Sequence, residues 1–393
     1  MINDDELRQI AEKYSTPSFV FDGEEASKRA EDIKKILKSS GKKVRLCYSI
    51  KANPFLIPLL TDSVDMFEVC SPGELEICKH YKVPGEMIIY SGVHKELKDI
   101  SEAIKYGVKI ITVESVRHYE LINAALQRFA AKVDIILRLS AKSQFGMSPE
   151  DIDLVIRKNR SDKNINILGI HYFVGTQRTK LKHQKEEIAM LAAYIKEVRS
   201  SSALPLPLLE YGPGLPFPYF EGDDHSDTLA PLKELNPHLD MLSDISELTV
   251  EMGRFLSSSC GYYLTKVVDK KSSFGRNWCI VDGGIHHANY YGQMLGMKIP
   301  KMRILPYNGK IEKNTEKWAV CGSLCTTNDV LVRECDMQEP MLNDLLVLCN
   351  IGAYSVTEGI NLFLSRSMPR VLIKDHDQIR LVRNFVETWR VNS

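Results

Sequence analysis

The chain has 393 residues, 44% apolar and 26% charged, with 51 basic and 51 acidic side chains and a formal net charge of zero. That length exceeds a single small core and fits two domains or an α/β barrel with an appendage, while the neutral balance argues against a global field drawing nucleic acid or an anionic membrane. The acidic start Met1-Ile-Asn-Asp-Asp-Glu6 lacks the basic-then-apolar order of a signal peptide, and no later apolar run reaches membrane-spanning length, so the expected location is the cytoplasm.

In chain order, residues 17–21 read as an extra strand able to pair with a sheet formed later in the chain. From residue 44, eight short apolar runs alternate with longer amphipathic stretches: 44–50, 64–69, 87–90, 108–113, 133–139, 165–172, 207–211 and 248–252. Helix candidates lie between them at 73–81 and 184–198, the latter placing Ile188, Leu191, Ala192, Ile195 and Val198 on one face. Eight such units are the count of a (β/α)8 TIM barrel, although a doubly wound sheet would show the same alternation. The stretch 217–242, with Asp223-Asp224-His225, reads as a loop or lid. Beyond about residue 255, closely spaced runs at 262–268, 278–281, 318–320, 329–333, 345–349 and 370–373 read as a separate, mainly antiparallel β domain. Nine cysteines without a Cys-x-x-Cys pair read as reduced thiols with no structural zinc.

In a barrel, the C-terminal strand ends converge on one site. Those ends carry Lys51; Glu68 and Ser71; His171, Phe173 and Gly175; Gly212 and Gly214; and Glu251, Gly253 and Arg254. An amine, carboxylates, an arginine and glycine turns suit a phosphorylated aldehyde cofactor. Lysine can condense with the aldehyde, turn N–H groups can meet a phosphate, and a carboxylate can keep a pyridine nitrogen protonated. Pyridoxal 5'-phosphate is the expected cofactor.

Seven blocks run in register with one family: Tyr48-Ser-Ile-Lys-Ala-Asn-Pro54, Cys70-Ser-Pro-Gly-Glu-Leu75, His171-Tyr-Phe-Val-Gly-Thr-Gln177, Gly212-Pro-Gly-Leu215, Glu251-Met-Gly-Arg254, Cys321-Gly-Ser-Leu-Cys325 and Gly352-Ala-Tyr354. From residue 17 to about 375 the chain resembles the fold-type III pyridoxal-phosphate decarboxylases typified by diaminopimelate and ornithine decarboxylases. The resemblance implies an α/β fold: a (β/α)8 barrel of the alanine racemase type at 25–254, with a C-terminal β domain at 255–393 that takes in an N-terminal strand segment at 1–24. It implies an obligate homodimer with shared active sites, Lys51 as the cofactor-bound lysine, and Cys325 as a proton donor reaching the partner's site. It further implies cofactor contacts from Glu68, His171, Phe173, Gly212, Gly214, Glu251, Gly253, Arg254 and Tyr354. Glu251 would face the pyridine nitrogen, where barrel racemases place an arginine, so the resemblance favours decarboxylation over racemisation.

Three departures bear on the substrate. Phe173 stands where the family usually stacks a histidine on the cofactor. Thr326 follows Cys325 where diaminopimelate and ornithine decarboxylases place an acid for the distal ammonium. No arginine follows Val281-Asp-Gly-Gly-Ile-His-His-Ala-Asn-Tyr-Tyr291 before Lys298. A buried ammonium without its acid costs several kcal/mol, so the expected substrate has one α-amino acid head and a distal end that is neutral or conjugated, as on a carrier protein. His286, His287, Tyr290 and Thr326 are the expected substrate contacts. No metal is expected, because adjacent histidines in an extended run point to opposite sides. Rival readings are a diaminopimelate decarboxylase, a racemase on the same barrel, a homologue that has lost catalysis, and a barrel without a cofactor.

Overall fold

The computed structural model describes residues 2–39, 41–129, 131–309 and 314–393. The chain divides into a unit of Arg29–Pro216 with Asp227–Leu256, and a second unit of Met1–Lys28, Phe217–Ser226 and Ser257–Ser393.

In the first unit, the eight apolar runs become parallel strands β1 (Val44–Ser49), β2 (Met66–Val69), β3 (Ile88–Tyr90), β4 (Ile110–Val113), β5 (Val133–Arg138), β6 (Ile165–Phe173), β7 (Leu208–Gly212) and β8 (Glu247–Met252). They close into a barrel in sequence order, with Cys47 of β1 opposite Glu251 of β8. The open doubly wound sheet is thereby excluded. Side chains alternate along a strand, and the barrel interior uses that period to build two unlike layers. Cys47, Met66, Ile89, Ile110, Ile136 and Leu208 form one apolar cluster. Each large apolar member contributes about 1.5–3 kcal/mol by leaving water. Two residues further along the same strands stand Ser49, Glu68, Ser91, Thr112, Arg138 and Glu210, all buried. Polar groups out of water are costly unless partnered. A whole polar layer at the C-terminal strand ends therefore marks the barrel's working face.

Helices return the chain between strands, and several start on a serine whose hydroxyl accepts the third backbone N–H: Ser71 from Glu74, Ser115 from His118 and Ser148 from Asp151. The stretch 217–242 is not a single loop. Ala230–Ser243 is a helix burying Leu232, Leu235, Leu239 and Leu242; Pro237 inside it disguises a regular apolar face in the sequence. Phe217–Ser226 joins the second unit, where Glu221 N–H donates to Ile299 at 2.9 Å and Lys301 N–H to Tyr219 at 3.0 Å.

The second unit is built on a nine-stranded sheet. Strand Ser18–Asp22 lies between Gly261–Ser273, which it pairs antiparallel, and Arg370–Asp375, which it pairs parallel. Helix Asp4–Tyr14 is fixed at its start by a reciprocal Asn3–Glu6 cap and buries Leu7 and Ile10 against Val20, Leu264, Val347 and Leu372. Two strands, Met302–Leu305 and Gln378–Arg383, escaped the sequence reading. The first has only four residues, and the second lies at the end of the sheet with no buried residue to impose an alternating pattern.

Candidate active site

Lys51 follows β1 in a short helical turn, Ile50–Ala52, which Asn53 and Pro54 end. The Asn53 side chain accepts Phe55 N–H at 3.1 Å, and Tyr48 Oη donates to the Asn53 carbonyl at 3.0 Å. The lysine stem is thus held at the rim, one third exposed, with Nζ 2.8 Å from Glu68 Oε2 and 3.5 Å from Glu251 Oε1. Ser49 Oγ donates to Glu251 Oε1 at 2.7 Å, and His171 Nε2 lies 3.3 Å from Glu251 Oε2.

Two buried carboxyls at this mouth take opposite states. Burial opposes charge on Glu251, yet Lys51 and His171 outweigh it and hold the carboxyl well below the usual range. Glu210 has no hydrogen-bond partner on either oxygen. Burial, then the charges of Glu251 and Glu68, pushes its carboxyl well above the usual range. The two groups are thus driven apart, Glu251 toward the carboxylate and Glu210 toward the acid. Burial and neighbouring carboxylates likewise raise the Cys47 and Cys70 thiols, so neither is a ready nucleophile.

Phe173 lies over the backbone of Gly212, where an added Cβ would meet Phe173 Cδ2 at 2.5 Å. Gly214 has φ +63°, and a Cβ there would come within 1.8 Å of the Gly175 carbonyl, so only glycine fits. At Gly175 a Cβ would enter open space. Arg254 follows Gly253, and its Nε donates to Thr176 Oγ1 at 3.2 Å. One unit thus brings together Lys51, Glu68, His171, Phe173, Gly212, Gly214, Glu251, Gly253 and Arg254. The sequence reading passed over Ser49, Glu210 and the Arg138–Glu114 pair at 3.0 Å. Arg138 and Glu210 lie inside the apolar runs 133–139 and 207–211, where the sequence carries no sign of which residues face the barrel axis.

The other expected residues lie in the β-rich unit. Cys325 is exposed on the loop after strand Glu316–Cys321. Asp329 anchors that loop, its carboxylate accepting Leu324 N–H at 2.7 Å and Ile285 N–H at 2.8 Å. Thr326 Oγ1 accepts Asn328 N–H at 3.3 Å. Tyr354 adopts φ +68°, a strained value for a bulky residue.

The histidine pair departs from expectation. Residues 284–288 form a turn rather than an extended run, with His287 and Ala288 N–H both donating to Gly284, and the two rings lie 3.7 Å apart on one side. His287 uses both ring nitrogens, on Tyr263 at 2.9 Å and Ser367 at 3.2 Å. Burial, reinforced by its histidine neighbour, lowers its pKa to about 2, which favours the neutral ring. His286 is buried with Nδ1 unpartnered, and burial lowers its pKa to about 4. Tyr290 is also turned inward, donating to the Cys349 carbonyl at 2.6 Å and packing on Tyr219 and Phe220. Its hydroxyl is spent on that carbonyl rather than offered to a substrate. Among the described residues no group of three or more His, Cys, Asp or Glu could hold a metal, and no helix is long and apolar enough to cross a membrane.

Residues 24–258 match the family model for the pyridoxal-binding domain of pyridoxal-dependent decarboxylases. Among curated proteins, the chain is 23% identical to the L-glutamyl-[BtrI acyl-carrier protein] decarboxylase of Niallia circulans, covering 96% of this chain and 93% of that one. It is 24% identical to the diaminopimelate decarboxylase of Methanocaldococcus jannaschii, over 95% and 90% of the two chains. Among solved structures, diaminopimelate decarboxylase of Helicobacter pylori complexed with L-lysine superposes with a TM-score of 0.85 at 20% identity, covering 99% of each chain. That likeness shows the fold.

Proposed function

The chain belongs to the pyridoxal-dependent decarboxylase family, and from that premise we propose that its substrate is an amino acid with a free α-amino acid head and a neutral or conjugated distal end, such as a carrier-linked amino acid. The protein is a pyridoxal-phosphate-dependent carboxy-lyase acting on amino acids. The observation that carries the substrate reading is Thr326, a neutral side chain beside Cys325 on a loop pinned by Asp329. The Niallia circulans relative, named for a glutamyl group on a carrier protein, supports the same class.

The barrel mouth fits the cofactor. Open space stands at Gly175, His171 Nδ1 is buried without a partner, and an amine, a carboxylate and an arginine share the rim. Once bound, pyridoxal phosphate supplies an aldehyde for the substrate amine and a ring that accepts the electron pair left as carbon dioxide departs. Lys51 would be the amine that holds that aldehyde. Glu251, kept ionised by Lys51 and His171, holds a proton at the ring nitrogen. The Phe173 ring would cover one face of the cofactor, where it would exclude water but could not donate a hydrogen bond. Gly212, Gly214, Gly253 and Arg254 would hold the phosphate, and Glu68 orients Lys51; Tyr354 is a further proposed cofactor residue. In a cytoplasmic homodimer, with domain limits near residues 25 and 254, the partner subunit's Cys325 would serve as the proton donor.

Carbon dioxide release from lysine, ornithine, diaminopimelate and amide- or thioester-linked glutamate tests the reading. Linked glutamate is the expected substrate. Faster turnover of diaminopimelate would sink the specificity argument, and loss of optical rotation without carbon dioxide would indicate a racemase.

A further inference from the structure

The outer side of the glycine turn is tied to the Leu181–Ser202 helix through four side chains that no step above uses, those of Arg178, Gln184, Glu187 and Tyr211. Glu187 accepts both Nη groups of Arg178, one at 2.7 Å, and Tyr211 Oη donates to its Oε2 at 3.1 Å. Arg178 N–H donates to the Gly214 carbonyl at 3.0 Å. Gln184, 1% exposed, donates from Nε2 to the carbonyls of Pro213 at 3.2 Å and Arg178 at 3.3 Å. The Arg178–Glu187 pair is a two-pronged ion pair with both side chains 14% exposed, the strong, direction-fixing kind.

These ties hold two consecutive carbonyls of the turn, Pro213 by Gln184 and Gly214 by Arg178. In a trans peptide the N–H points opposite to the carbonyl. Turning both carbonyls toward the clamp therefore turns the N–H groups of Gly214 and Leu215 the other way, as a paired donor for an anion. We infer that Glu187, Arg178, Gln184 and Tyr211 form a clamp behind the glycine turn that sets its N–H groups for the cofactor phosphate, and so governs retention of the phosphorylated cofactor. Glu187 and Gln184 are positioning residues, acting through the turn. The inference rests on the assignment of the phosphate to Gly212–Gly214 made above.

The test uses apoenzyme titrated with pyridoxal 5'-phosphate and, separately, with pyridoxal, which keeps the aldehyde for Lys51 but lacks the phosphate. Glu187→Gln is expected to weaken pyridoxal phosphate roughly tenfold or more, the loss of about one charge-assisted contact, while pyridoxal binding changes by less than about twofold. Tyr211→Phe, which removes one oxygen from the same clamp, should move affinity the same way by a smaller factor and serves if Glu187→Gln does not fold. Equal losses for both ligands, tracking a lower apoenzyme melting temperature, would overturn the clamp, as would no loss for either. Wild-type protein with no preference for the phosphorylated form would overturn the phosphate assignment beneath it.

Discussion

Glu251 and Glu210 are the same residue type, buried at the same barrel mouth, and Gln substitution should separate them. Glu251→Gln keeps the shape and can keep the 2.7 Å bond from Ser49, but it removes the charge that Lys51 and His171 sustain. A charge-assisted hydrogen bond is worth about 1.5–3 kcal/mol, so kcat/KM for carbon dioxide release should fall roughly ten- to hundredfold. Glu210→Gln replaces a carboxyl whose surroundings favour the protonated form, and the change should stay under about threefold. Stability gives an independent reading of the same contrast. Because the folded-state pKa of Glu210 is raised, the folded protein keeps a proton that the unfolded chain has lost above pH ~4.3. Its unfolding free energy therefore declines with rising pH, by up to about 1.4 kcal/mol per unit, until the folded pKa is passed. Glu210→Gln removes that decline, so its stability relative to wild type should grow between pH 5 and pH 8 in urea titrations. The reasoning fails if Glu210→Gln loses as much activity as Glu251→Gln, or if its relative stability is flat over that range.

Lys51→Ala should abolish the visible absorbance of protein-bound pyridoxal phosphate along with turnover; a retained band would remove Lys51 from its role. Cys325→Ala should slow product formation about a hundredfold, the scale of a lost general acid, and a change under about threefold would contradict proton delivery by this thiol. Thr326→Glu should raise kcat/KM for ornithine or diaminopimelate relative to amide-linked glutamate, by giving the distal ammonium a partner. An unchanged ratio, measured by carbon dioxide release, would show that this loop does not read the distal end.

All eight barrel strands were legible in the sequence because each is largely buried and reads as a short, mainly apolar run. The polar layer was legible near the strand ends, with Lys51 just beyond β1 and Glu68 and Glu251 one residue before the ends of β2 and β8. Glu210 and Arg138 sit inside apolar runs, and the sequence gives no sign of whether they face the barrel axis. The strand Ser18–Asp22 was placed with the later sheet because it precedes the first barrel unit; its register beside Gly261–Ser273 came only from the structure. The local geometry around His286, His287 and Tyr290 differs from the sequence expectation for one reason. Their segment was taken as extended, whereas Gly284 turns the chain there, facing the rings to one side and drawing Tyr290 into the aromatic cluster of Tyr219 and Phe220.

The most direct test is a crystal structure of the pyridoxal-phosphate holoenzyme, read at one distance: that from the pyridine nitrogen to the nearest carboxylate. The account predicts Glu251 at about 2.7–3.1 Å, with Lys51 bonded to the cofactor aldehyde carbon. A ring nitrogen paired with Glu210 or Glu68, or facing Arg138, would contradict it.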